Sequence, residues 1–208
     1  MKLYPTSRIV RRLGERLILK AERDASPKAA MVKRPYPPGM HQQRRGRGLS
    51  EFGISLKVKQ KMRYLYGLSD GGLKRAVGAA SRTPHKTRTE ALVELLERRL
   101  DSVLFRMGFA ASRRIARQAI SHGHVFLDGK RVRTPSILVK PGHVVSIRPA
   151  SRAAQHFQGW ENRLKNAEPP AWLSVEPAEW RGTVKQFPRA ENTATLQDVS
   201  RVIEFYSR

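Results

Sequence analysis

Seven side chains between residues 113 and 131 carry most of the chemistry this sequence offers: Arg113, Arg114, Arg117, His122, His124, Lys130 and Arg131. A guanidinium presents a planar fork of donors that matches phosphate, and an imidazole adds a donor to phosphate or backbone oxygen. Along the chain, Asp128 is the only acid from Arg113 to Arg148, and its place in a turn ties up its carboxylate locally. An ordinary solvated face mixes both signs, so this run is expected to meet RNA. Two further groups are candidates. Arg44, Arg45 and Arg47 stand among glycines, which suit both flexibility and close backbone approach to RNA. Lys57, Lys59, Lys61 and Arg63 are expected to line the wet face of a helix.

Other chemistry finds less support. His122-Gly-His124 supplies two metal ligands, but with no cysteine in the chain and only Asp128 nearby, a third and fourth are missing; no metal and no cofactor are expected. Arg99-Leu-Asp101 resembles the short stretch that carries the catalytic aspartate of RNA pseudouridine synthases, so an RNA-modifying enzyme with a small targeting module is the alternative. Against it, Asp101 falls one step past Leu100 inside a regular apolar pattern, with Arg98 placed for an i, i+3 pair. No second catalytic group follows. A binding protein without catalytic residues is therefore expected.

The elements that position these residues follow from periodicity. Ser50 is a candidate N-cap for a helix reaching Gly67, with Phe52, Leu56, Met62, Leu65 and Tyr66 turned inward. After a Gly- and Ser-rich stretch, Thr89 to Met107 places Leu92, Leu95, Leu96, Leu100, Val103, Leu104 and Met107 at three- and four-residue steps, which predicts one long helix. Ser112 caps a shorter one ending near Ser121, with Ile115, Ala116, Ala119 and Ile120 on its apolar face and Arg113, Arg114 and Arg117 facing solvent or ligand. Val125 to Val132 reads as a tight hairpin around Asp128-Gly129, and Val144 to Ile147 as another strand.

The 208 residues include 41 Lys and Arg against 17 Asp and Glu, a net charge of +24. Residues 1–150 hold 33 basic and 10 acidic side chains, whereas residues 151–208 hold 8 and 7. Such a surplus repels itself unless a polyanion lies alongside. Neither terminus offers an amphipathic or lipidated anchor and no apolar run approaches the roughly 20 residues that span a bilayer, so no membrane partner is expected. Trp160, Trp172 and Trp180 all lie in the near-neutral tail and are expected to pack on protein. The Met-led start, without an apolar secretion signal, favours a bacterial cytoplasmic location.

Several strings occur here in the order seen in bacterial ribosomal protein S-four: Arg34-Pro-Tyr-Pro-Pro-Gly39, Leu49-Ser-Glu-Phe-Gly53, Lys59-Gln-Lys-Met-Arg63, Glu97-Arg-Arg-Leu-Asp101, Arg106-Met-Gly-Phe-Ala110 and Ser121-His-Gly-His124. Leu138-Val-Lys-Pro-Gly142, Pro170-Ala-Trp-Leu173 and Glu204-Phe-Tyr-Ser-Arg208 continue the series, so the chain resembles that small-subunit family along nearly its whole length. The resemblance implies an α+β fold: a mostly helical first domain with an inserted small α+β RNA-binding module of two helices, a hairpin and short strands. The corresponding boundaries are a basic arm at 1–48, a helical domain at 49–91 and 156–208, and the module at 92–155. It also implies binding to the five-way junction of the small-subunit rRNA 5′ domain during early assembly, contact with ribosomal protein S-five where decoding accuracy is tuned, and mRNA passing Arg44, Arg45 and Arg47 near the entry channel. Some relatives bind zinc through four cysteines near the start. Those positions here are Ser7, Val10, Asp24 and Ala29, so this chain resembles the zinc-free form.

Overall fold

The computed structural model describes residues 6–15, 17, 19, 26–27, 29–39, 48–153, 157, 159–160, 169–189 and 193–207. The chain divides into two compact units, residues 1–89 with 192–208, and residues 90–191.

In the first unit, α1 (Thr6–Leu13) packs on the short α2 (Ala30–Lys33), and α3 (Glu51–Leu65) packs chiefly on the terminal helix α8 (Thr193–Ser207). Ser50 caps α3 as expected, its hydroxyl accepting from the Gly53 amide at 3.2 Å. The buried stripe of α3 runs through Val58, Lys59, Met62 and on to Tyr66, while Phe52 is 55% exposed with its ring 5.5 Å from Phe205. Phe52 was expected inside. Phe52 sits at the N-terminal end of α3, where Phe205 from the end of α8 covers it only in part; Val199, Val202 and Ile203 complete the packing further along. The Gly- and Ser-rich stretch holds a further helix, α4 (Asp70–Ala80), capped by Ser69 onto the Gly72 amide at 3.1 Å and burying Leu73, Val77 and Ala80. Its glycines hide a proper cap and a three- and four-residue apolar spacing. Val10, Leu13 and Leu17 form a small apolar cluster of their own, and Ala29 is buried as well.

The second unit is built on a five-stranded antiparallel sheet, order β2-β1-β3-β5-β4, from β1 (Val125–Leu127), β2 (Lys130–Val132), β3 (Val144–Ile147), β4 (Leu173–Glu176) and β5 (Arg181–Val184). The hairpin turn has positive φ at both Asp128 (49°) and Gly129 (75°), the geometry that matches strand twist and favours an Asp-Gly pair. Asp128 reaches beyond its own turn, accepting from the Val144 amide at 2.8 Å and so tying β3 to the hairpin. Trp160 and Trp172 are buried in the core with Phe109, Phe157, Val145 and Ile147. The tail is thus divided. Residues 156–191 were expected with the helical domain, but β5 pairs with β3 and the tryptophans fill the core beneath the sheet, so this stretch belongs with the module.

The single helix expected from Thr89 to Met107 is two, α5 (Arg88–Glu97) and α6 (Leu100–Arg106). Arg99 is extended and bridges to Leu138: the Leu100 amide donates to Ile137 at 2.9 Å, the Asp101 amide to Pro135 at 3.2 Å, and the Val139 amide to Arg98 at 2.9 Å. The backbone groups that would close the helix are spent on this crossing segment. α7 (Arg113–Ser121) then follows from its Ser112 cap, which accepts from the Ile115 amide at 3.3 Å.

Two consequences for stability follow. A methyl group at Gly182 would sit 2.7 Å from Met107 Sδ and 3.1 Å from the Ser174 carbonyl oxygen, so Gly182→Ala is expected to cost about 1–3 kcal/mol in urea unfolding. In the first unit, Lys59 Nζ lies 2.8 Å from Asp70 Oδ1, and this hydrogen-bonded cation, against some opposing burial, holds the Asp70 carboxyl below its usual value. A depressed carboxyl contributes stability that is complete above its unfolded value and is lost as pH falls through the folded one. Asp70→Asn should therefore flatten the acid limb of the stability curve below about pH 4, the ordinary carboxyl range; an acid limb as steep as in the unchanged protein would exclude Asp70 from it.

Candidate nucleic-acid interface

Two buried carboxylates organise the start of the second unit. Asp101 is 1% exposed at the beginning of α6 and accepts from Arg99 Nε at 3.1 Å and Nη2 at 2.8 Å, from Arg117 Nη2 at 2.7 Å, and from the Ser102 amide at 2.9 Å. Its site, beside the helix N-terminus, favours negative charge. Glu97, at the end of α5, accepts from Arg106 Nε and Nη2 at 2.9 and 2.8 Å and from Arg113 Nη2 at 3.2 Å. The Arg113 guanidinium also reaches Ser102 Oγ at 3.3 Å and lies 4.7 Å from the Phe105 ring centroid.

This alters the expected roles on α7. Arg113 was expected at solvent or ligand and is instead 9% exposed, its guanidinium enclosed between α5 and α6. Arg117 is one-third exposed, with one nitrogen held by Asp101. Arg114 is exposed, and no acidic partner for it occurs among the described residues. Nor does Asp101 pair with Arg98 as expected. Arg98 turns to Glu94 at 3.0 Å and to the Val139 carbonyl oxygen at 2.9 Å, because the crossing segment lies where a continuous helix would have put the pair.

The C-terminal turn of α7 and the hairpin meet through Arg131, which donates from Nε to the Gly123 carbonyl at 2.9 Å and from Nη2 to that of His122 at 3.1 Å. Gly123 has φ +74°, and a Cβ there would fall 2.3 Å from Arg131 Nε, so the contact needs glycine. His122 is exposed, whereas His124 turns its Nδ1 to Ser151 Oγ at 2.9 Å and stands edge-on to Phe157. The two rings are 5.9 Å apart, and no group of three or more His, Cys, Asp or Glu able to hold a metal ion occurs among the described residues. Lys130 is exposed on the hairpin. Sequence reasoning overlooked Arg133 and Arg148, both exposed; the Arg148 amide donates to the His124 carbonyl at 2.9 Å, which sets that arginine beside the His-Gly-His turn. Its position directly after a predicted strand was the available signal.

The cations of α3 divide similarly. Lys57 is half-buried. Lys59, expected on the wet face, is 7% exposed, paired with Asp70 and 4.6 Å from the Phe205 ring centroid. Lys61 joins Glu15 at 2.7 Å and Asp198 at 2.9 Å; burial opposes its charge, but these two partners leave its pKa raised. Arg63 stacks on Tyr64 at 4.6 Å and donates to its hydroxyl at 2.8 Å. Arg44, Arg45 and Arg47 lie outside the described residues.

Comparison with known proteins is consistent along the chain. Residues 2–97 match the model of the ribosomal protein S4/S9 N-terminal domain, and residues 98–145 match that of the S4 domain. The small ribosomal subunit protein uS4 of Syntrophomonas wolfei is 42% identical over 198 residues, 95% of this chain and 94% of the relative. That of Dechloromonas aromatica is 42% identical over 207 residues, covering 99% and 98%, and that of Thermus thermophilus 40% identical over 204 residues, covering 98% and 97%.

Removing the carboxylate of Asp101 leaves Arg99 and Arg117 facing a buried hole. Asp101→Ala is expected to cost about 3–5 kcal/mol in urea unfolding, whereas Arg106→Ala should cost less, because Arg106 is 43% exposed and Arg113 still donates to Glu97. Equal costs would show that burial does not govern these pairs.

Proposed function

The chain belongs to the ribosomal protein S4 family, and from that premise we propose that it is a structural, non-catalytic component of the small ribosomal subunit that binds small-subunit rRNA at the 5′ domain junction. The observation that carries this reading is the set of exposed cations on α7, on and just after the hairpin, and just after β3, namely Arg114, Lys130, Arg133 and Arg148, together with the exposed His122. Phosphate contacts of this kind supply affinity without reading base identity, so RNA shape at a junction provides the specificity. Arg131 and Arg117 contribute differently: one braces the hairpin on α7 and the other is braced by Asp101, so both hold the surface in a fixed form. Arg113, enclosed beside Glu97, acts as a positioning residue.

The finer assignments extend the same reading. Binding to the junction nucleates assembly of the subunit in the cytoplasm. Arg44, Arg45 and Arg47 face mRNA near the entry channel, and Lys57 and Arg63 add contacts from the helical unit. The tail meets ribosomal protein S-five, through which it contributes to translational accuracy; the exposed Phe52 and Glu204 are in the unit expected to make that contact.

The test is binding to an rRNA 5′ domain fragment across a salt series. Arg114→Ala and Lys130→Ala should each lower the log-log salt slope by about 0.7–0.9 per lost phosphate contact, with stability unchanged. Arg113→Ala should instead lower stability, with little change of slope in the protein that remains folded. Unaltered slopes for Arg114→Ala and Lys130→Ala would remove this surface from the interface.

A further inference from the structure

We propose that a cleft in the first unit, between α1, the loop carrying Pro37 and α3, holds a single unpaired RNA nucleotide. The inference rests on the RNA-binding reading above and assigns a ligand to a place that the α7–hairpin surface does not include. Four cations line the cleft, Arg8 and Arg12 from α1 and Lys57 and Arg63 from α3, and no acidic side chain lines it among the described residues. Asp70 acts on Arg63 from outside this wall, but no described carboxylate stands within it, so the positive groups call for an anion of phosphate type. The remaining wall is of another kind. Pro37 and Pro38 supply flat apolar surface, and Tyr64 adds an aromatic ring against which the Arg63 guanidinium already lies at 4.6 Å. A planar apolar group joined to a phosphate is a nucleotide, and the volume of about 1140 Å³ exceeds what one requires.

Two unsatisfied atoms sharpen the assignment. Gln60 Oε1 and Arg63 Nε are shielded from water and have no hydrogen-bond partner. They sit three residues apart on α3, hence on one face, and both side chains line the cleft. Buried polar groups are nearly always paired in folded proteins, so an unpaired acceptor beside an unpaired donor points to an occupant bearing the complementary donor and acceptor. The edge of an unpaired base has that pattern. A phosphodiester alone would satisfy the arginine and leave the glutamine oxygen unmatched. Residues already committed elsewhere, Lys59 to Asp70 and Lys61 to Glu15 and Asp198, are absent from the lining.

The experiment uses the full chain and three RNA hairpins of equal phosphate number: one with a single bulged nucleotide, tried with each base, one with an abasic bulge, and one fully paired. At least one base should bind about tenfold more tightly than the abasic bulge, the scale expected for stacking one base. Gln60→Leu should remove that preference while leaving affinity for the fully paired hairpin unchanged. Equal affinity for base and abasic bulges would overturn the proposal without touching the RNA-binding reading, and this comparison needs no variant to fold. A preference that survives Gln60→Leu would also overturn it. Binding of none of the three hairpins would overturn the underlying reading itself.

Discussion

Two carboxylates buried among arginines are the constraint on which the second unit depends. Glu97 and Asp101 are each almost inaccessible to solvent, and each takes guanidinium groups from more than one place in the chain. Buried charge is tolerated only when paired and hydrogen-bonded, so these contacts fix where α5, α6 and α7 can lie relative to one another. The arginines that remain outside then have a rigid support. A chain with +24 net charge has few acids to spend, and placing two of them inside is a measure of how much the geometry of this corner matters.

The same division between structural and outward-facing cations recurs in the first unit. Lys59 and Lys61 are joined to Asp70, Glu15 and Asp198 and hold helices together, while Lys57 and Arg63 face the cleft. Counting basic residues therefore overstates the binding surface. What distinguishes the two sets is the presence of a carboxylate within reach, which depends on the fold and not on neighbouring positions in sequence.

Much of the local structure was readable beforehand because its causes are local. Ser50 and Ser112 cap the helices they precede, and Asp128-Gly129 makes the tight turn its dipeptide favours, since each needs only a few adjacent residues. Apolar spacing also placed the buried face of α7. The misreadings have non-local causes. The apolar pattern from Leu92 to Met107 runs unbroken through Arg98 and Arg99, and only the crossing segment at Pro135 to Val139 reveals the break. Lys59 is buried because Asp70, Phe205 and Tyr206 surround it, two of them from the far end of the chain. Pairing of β5 with β3, which moves the tryptophans into the module, likewise joins segments far apart in sequence.

The candidate interface rests on charge density, which marks a region more than individual side chains. Its position on α7 and the hairpin followed from charge density, but Arg113 belongs to the interior, and Arg133 and Arg148 belong outside. The central claim is that this exposed cationic surface exists to neutralise the phosphates of small-subunit rRNA. Its most direct test is the salt dependence of binding by the unaltered chain to a small-subunit rRNA 5′ domain fragment. The prediction is saturable binding at physiological ionic strength whose logarithm falls linearly and steeply with the logarithm of salt concentration; failure to bind, or affinity indifferent to salt, would contradict it.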